Sequence, residues 1–145
     1  MNVVFKNIFI SVFLGIKKSL KLILKLVLFI IPVYLIVSIL DYTNVLEDIA
    51  SWFEPLMVIF GLPGEAALSL LLAFCVNIYA ALGVIGKITL TLKQITILGC
   101  MIGCAHTLPI ETTVIKTLNV PRYIQLIIRL SAAILIGVLM NLIWR

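Results

Sequence analysis

The sequence predicts an all-α integral membrane domain with two or three spanning helices, a re-entrant helical hairpin, a broken transmembrane helix and two interfacial amphipathic helices. Three observations predict it. The first is composition: 63% of the 145 residues are hydrophobic, the mean hydropathy is +1.29 and 12% are charged, far from the balance of a soluble domain. The second is the length of the apolar runs, since a spanning helix needs about 20 residues. The third is that two runs are interrupted by polar clusters, Cys75–Gly83 and Cys100–Thr113. A charged group at membrane depth costs roughly 2.5 to 3.5 kcal/mol on insertion scales, so such interruptions read as functional.

At about 20 residues per inserted segment the chain holds four to five segments in one compact domain. We divide it into residues 1–21, a cytoplasmic-surface helix, and 22–145, a single membrane domain. The net charge of +5 is uneven, with five lysines among the first 25 residues. That excess belongs to topology and lipid headgroups, and no basic, aromatic-interleaved surface offers itself to nucleic acid. It places the N-terminus in the cytoplasm and the chain in the inner (plasma) membrane as a multi-pass protein. Cys75, Cys100 and Cys104 all lie in apolar segments, where a free thiol behaves as a small buried hydrophobe.

Taken in order, Lys6, Lys17, Lys18, Lys21 and Lys25 fall within an arc of about 120° on a helical wheel, and Phe, Ile, Val and Leu fill the other side. An amphipathic helix on the anionic cytoplasmic leaflet fits this pattern. The alternative is the charged start of the first span. Leu22–Leu40 is that span, kinked at Pro32. Asn44 and Glu47 have capping-box spacing and open a second interfacial helix. Its apolar face carries Val45, Ile49, Trp52, Phe53 and Leu56, and its end is bent by Pro55 and the turn Gly61–Gly64.

Residues 65–86 are apolar around the patch Cys75–Gly83. Two helices of about ten residues are too short to cross singly, but as a hairpin they can enter the membrane and return. Gln94–Asn119 contains Pro109, which cannot donate to the Ala105 carbonyl, so the helix opens near His106 and Thr107. Tyr123–Trp144 is the last span. Two arrangements satisfy both ends, with either 62–86 or 94–119 as the hairpin, and charge slightly favours the second, which places Lys87 and Lys93 inside.

The polar residues are weighed one by one. Leu-Pro-x-Glu occurs at Leu62–Glu65 and at Leu108–Glu111, where the glutamate can satisfy first-turn amides. Glu65 suits that capping role. Glu111 lies deep in a spanning segment and is a candidate solute or ion contact. His106, Thr107, Asn77 and Tyr79 are the other substrate-binding candidates, and Pro109 and Gly83 are the structural-break candidates. Cys100, Cys104, His106 and Glu111 form a weak metal set whose spacing matches no strong zinc or iron motif. No paired carboxylates, phosphate loop or nucleophile elbow points to an enzyme.

On GLPGEA, CVNIYAALG and AHTLPIE, the segment Leu22–Arg145 resembles the nucleoside-recognition, or Gate, domain. That family embraces the spore maturation proteins, resembles one repeat of the concentrative nucleoside transporters and recurs in the membrane part of the ferrous-iron transporter B. The resemblance implies a transport core in which hairpin tip and broken helix meet, with 62–86 as the hairpin. Asn77 and its neighbours are then the tip, and His106, Thr107 and Glu111 the unwound region. This chain departs from the transporters in having one repeat and no acidic residue at the tip. A small transport protein or half-transporter is therefore expected, paired as a homodimer or with a related half-subunit. Its ligand is a small polar solute, nucleoside-like in class, or a cation. No cofactor is expected beyond a coupling cation, and the partners are membrane lipid and the second half. The alternatives are ferrous-iron-like transport and a non-transporting membrane assembly subunit.

Overall fold

The structure is a computed structural model that describes residues 2–116 and 121–144. The expected end of the fourth segment at Asn119, the Lys6 side chain and Arg145 lie outside what is described. The regular elements among the described residues are all helical, seven α-helices and a 3-10 turn at Val58–Phe60: α1 (Asn2–Tyr42), α2 (Val45–Met57), α3 (Ala66–Cys75), α4 (Ile78–Ile85), α5 (Leu92–Ala105), α6 (Leu108–Lys116) and α7 (Arg122–Ile143). Among the described residues three stretches are long and apolar enough to cross a membrane: Ile10–Tyr42, Leu92–Thr113 across α5 and α6, and Arg122–Ile143.

The first helix differs from expectation. α1 runs unbroken for 41 residues with Pro32 inside it, so no helix end marks the expected boundary at residue 21. The physical reason is local: Lys17–Leu28 is rich in leucine and lysine, both strong helix formers, and contains neither Gly nor Pro. At 1.5 Å per residue α1 is about 60 Å long, roughly twice the 30 Å hydrocarbon thickness of a bilayer.

The capping box expected at Asn44 is absent. Asn44 adopts the left-handed conformation, φ 59°, and its side chain makes no cap hydrogen bond, because it serves as the reversal between α1 and α2 and asparagine tolerates that conformation. Nor does Glu65 cap α3 through its side chain. α2 buries Leu46, Ala50 and Met57 against the rest of the chain, whereas Trp52 and Leu56 of the expected apolar face remain exposed. The helix therefore has a second apolar face that its own chain does not cover. Tryptophan there suits a membrane–water interface.

α3 and α4 fold back on each other as a hairpin, with Ser69 Oγ 3.5 Å from the Ala81 carbonyl across the pair. The core lies between this hairpin, α5 and α7, and its fully buried members include Ala66, Ala73, Ala81, Ile97, Leu98 and Ala105. Alanine at so many of these positions lets short helices approach closely. Gly83 does the same on the outer side of α4, where a Cβ would lie 2.9 Å from Val33 Cγ1 of α1. Gly83 is thus a packing residue inside α4. It is not the break expected of it, because the break falls at Val76–Asn77.

Several contacts gather one end of the molecule. Lys87, after α4, pairs with Asp41 at 3.6 Å. Gln94 Nε2 donates to the Gly61 carbonyl at 3.2 Å, and Lys93 Nζ to the Asn141 carbonyl at 3.2 Å. Asn141 Nδ2 reaches the Ile59 carbonyl at 3.1 Å, beside Gly61 with its φ of 67°. The last turn of α1, both feet of the hairpin, the start of α5 and the last turn of α7 therefore share one end. The Val76–Asn77 break and the start of α7 point away from it.

Candidate functional site

α5 starts at a capping box: Thr91 Oγ1 accepts from Gln94 N, and Gln94 Oε1 accepts from Thr91 N. From there it runs to Ala105. Pro109 offers no N–H to the Ala105 carbonyl and its ring crowds that oxygen. The chain accordingly leaves the helix at His106, with ψ 154°, and at Thr107, with φ 50°, before α6 resumes at Leu108. A left-handed threonine is uncommon and persists only where its surroundings hold it.

What holds it is the hairpin. At the hairpin tip Leu72 O accepts from both Val76 N (2.9 Å) and Asn77 N (3.0 Å). In a regular helix Asn77 would bond Ala73 O, and that carbonyl is instead free to accept from Thr107 N at 2.9 Å. The two interruptions meet there.

Asn77, the expected tip residue, caps α4: its Oδ1 accepts from Ala80 N at 2.9 Å. Tyr79 lies half-exposed on α4. Among the described residues no hydrogen bond joins Asn77 or Tyr79 to His106, Thr107 or Glu111, so the link between tip and break runs through Ala73.

Glu111 sits one turn into α6 and faces α7. Its carboxylate pairs with Arg129, receives Gln125 Nε2 at 3.4 Å and lies 3.9 Å from His106 Nε2. Arg129 also donates from Nε to the Cys104 carbonyl at 2.8 Å. That carbonyl belongs to the last turn of α5, where acceptors lack helical partners and a cation is favoured. One guanidinium thus satisfies a helix end and offsets a carboxylate. His106 Nδ1 and Gln125 Oε1 are buried with no hydrogen-bond partner among the described residues.

Arg129 and Gln125 lie in Tyr123–Trp144, which hydropathy reads as a plain span, and neither is among the residues expected at the site. The signal was present: an arginine and a glutamine four residues apart lie on one face of an apolar helix. The metal set does not assemble. Among the described residues no three of His, Cys, Asp and Glu are placed to hold one ion. Cys100 and Cys104 are half-buried, and Cys104 packs against the core. Pro109 O is taken up by the Thr112 and Thr113 hydroxyls, each at 2.9 Å.

With broken hairpin and broken helix side by side, the comparison with known families becomes decisive. The family described as nucleoside recognition, Gate, matches residues 23–143. The chain belongs to the Gate family. It is 36% identical over 115 residues to the "Uncharacterized membrane protein YvoD" of Bacillus subtilis (strain 168), covering 79% of this chain and 37% of that relative. The chain thus spans a little over a third of the length of the relative it matches. No solved structure matches it. The Gate match and the three apolar stretches of spanning length among the described residues make this a membrane protein, and the match begins at Ile23, inside α1, leaving the first part of that helix outside it.

Proposed function

We propose that this Gate domain is a small transport protein or half-transporter that binds a neutral polar solute where the α5–α6 break meets the hairpin, beside Thr107 and the Glu111–Arg129 pair. The observation that carries the reading is the Thr107 N–H bonded to Ala73 O, which sets two helix interruptions against each other. Such irregular backbone is tolerated at membrane depth where it is buried in protein or lines a cavity. α3 and α4, at 10 and 8 residues, are about 15 and 12 Å long and cannot cross singly, so the hairpin is read as re-entrant from the Asp41 end. With the lysine-rich N-terminus in the cytoplasm, that end faces outward. Binding residues are His106, Thr107 and Gln125, with Asn77 and Tyr79 at the tip side.

A neutral solute is favoured over a cation because Arg129 already offsets the Glu111 carboxylate. The open positions at His106 Nδ1 and Gln125 Oε1 suit a ligand that offers hydroxyl or amide hydrogen bonds. A nucleoside-like molecule meets that description. A second copy or a related half-subunit supplies the other half of the pathway.

The test is uptake of labelled nucleosides by proteoliposomes. His106→Ala and Gln125→Ala remove groups with free hydrogen-bonding capacity, so they should lower uptake several-fold with little change in melting temperature. Absence of uptake across purine and pyrimidine nucleosides would overturn the reading. Retained cellular phenotype in both variants would favour a non-transporting assembly subunit.

A further inference from the structure

One carboxylate organises the polar cluster at the α5–α6 break. Glu111 Oε2 pairs with Arg129 and receives Gln125 Nε2 at 3.4 Å, while Oε1 lies 3.9 Å from His106 Nε2. An ionised carboxylate only accepts hydrogen bonds, so each group facing it turns a donor toward it. Glutamine has one donor end and one acceptor end. With Nε2 held by Glu111, the acceptor Oε1 is left over, buried and without a partner among the described residues. The opposite flip would set the Gln125 oxygen against a carboxylate oxygen.

The same reasoning fixes the imidazole. A neutral ring carries one N–H and one lone pair, and the neighbour of one nitrogen decides which is which. At 3.9 Å the carboxylate is beyond hydrogen-bonding distance, yet its charge favours an N–H over a lone pair at Nε2. Nδ1 is then the acceptor, and it too is buried and unpartnered among the described residues. The Ala105 carbonyl, which Pro109 deprives of its helical donor, lies at the same break. The nearby donor Arg129 Nη1 is engaged by Glu111. Buried polar groups without partners are uncommon and call for a physical account. Here the His106 and Gln125 atoms have the same sense: both accept.

We propose that Glu111 is a positioning residue that turns His106 and Gln125 into a pair of acceptors, and that the solute this pair selects is a neutral molecule with two hydrogen-bond donors close together. The inference rests on the solute reading above and narrows it. A vicinal diol or an uncharged amino group meets the requirement. A molecule that offers only carbonyl, ether or ring-nitrogen acceptors does not, because it would leave both buried acceptors unanswered. An ammonium donor is disfavoured by the Arg129 guanidinium beside the pair. Glu111 itself is taken up by Arg129 and Gln125 and acts on the solute only through the two side chains it orients. Both acceptors hang on one carboxylate, so a single small molecule reaches the two.

His106 is the one histidine in the sequence, so nitrogen-15 histidine labelling gives a single imidazole to read by NMR. The full chain in lipid nanodiscs, in mildly alkaline buffer that keeps the ring neutral, should show the Nε2–H tautomer. Glu111→Gln supplies an amide that can present either end to the ring, so the two ring signals should converge. Adenosine should move the Nδ1 signal in the direction of hydrogen-bond acceptance. Two analogues separate the sources of the donors: purine riboside lacks the amine, and the isopropylidene acetal of adenosine lacks the free diol. Whichever removes the donors in use should bind at least about tenfold more weakly than adenosine, since it strands buried acceptors. An Nδ1–H tautomer, an imidazolium signal or a Glu111→Gln spectrum like that of the unaltered chain overturns the inference even with uptake intact. So does equal binding of adenosine and both analogues. Should Glu111→Gln not fold, the tautomer of the unaltered chain decides by itself. The expected tautomer with neither an adenosine response nor nucleoside uptake overturns the solute reading, and the ligand class with it.

Discussion

Arg129 of α7 joins the end of α5 to the start of α6: it pairs with Glu111 while donating to the Cys104 carbonyl at 2.8 Å. With side-chain exposures of 19% and 34%, the pair is largely withdrawn from solvent in a segment of spanning length. Removing one partner of a buried pair costs about 3–5 kcal/mol because it strands the other charge, and partial exposure places this pair toward the lower end. Glu111→Gln and Arg129→Gln should each lower the melting temperature in detergent by several degrees. The Glu111→Gln/Arg129→Gln double variant should lose less than the sum of the two. Additive losses would show that the pair is not energetically coupled.

Asn77 separates a structural from a binding role. Losing the cap in Asn77→Ala should destabilise α4 by about 1 kcal/mol, whereas Asn77→Asp keeps a capping oxygen. Hydrogen exchange at Ala80 and Ala81 should quicken in the alanine variant and not in the aspartate one. If Asn77 also touches solute, Asn77→Asp reduces uptake while exchange stays protected.

Gly83 packs against Val33 so closely that Gly83→Ala puts a methyl 2.9 Å from Val33 Cγ1. β-Branched valine has little rotamer freedom in a helix with which to move aside, and overpacking of this kind typically costs about 1–3 kcal/mol. Thermal melts should show the loss and its partial recovery in Gly83→Ala/Val33→Ala. An unaffected single variant would contradict the close approach of α1 and α4.

Topology follows from which residues share an end. Single cysteines at Asp41, Lys87 and Asn141 should react with a membrane-impermeant maleimide added outside intact cells, and one at Arg122 only after permeabilisation. Outside reactivity at 41 with inside-only reactivity at 87 would mean that α3 and α4 cross rather than return.

Much of this architecture was legible in the residues. Pro109 located the α5–α6 interruption because its missing N–H acts on a carbonyl four residues back, and the short apolar flanks of Asn77 foretold two half-length helices. What escaped was tertiary. Asn44 and Glu65 carry capping residue types, yet the chain reversal at one and the backbone geometry at the other leave no side-chain cap. The boundary after residue 21 follows charge, which does not stop a helix, so it lies beside the start of the Gate match and not at a helix end. Hydropathy averages Arg129 into a span, and its role depends on α5 and α6 arriving on its face.

The Thr107–Ala73 bond has a consequence for how the domain moves. Each interruption leaves a backbone group without its helical partner, and each supplies the partner the other lacks. Rewinding one would orphan a buried group at the other, at a cost of about 1–3 kcal/mol. The two irregularities therefore persist or disappear together, and a ligand that loosens either one acts on both.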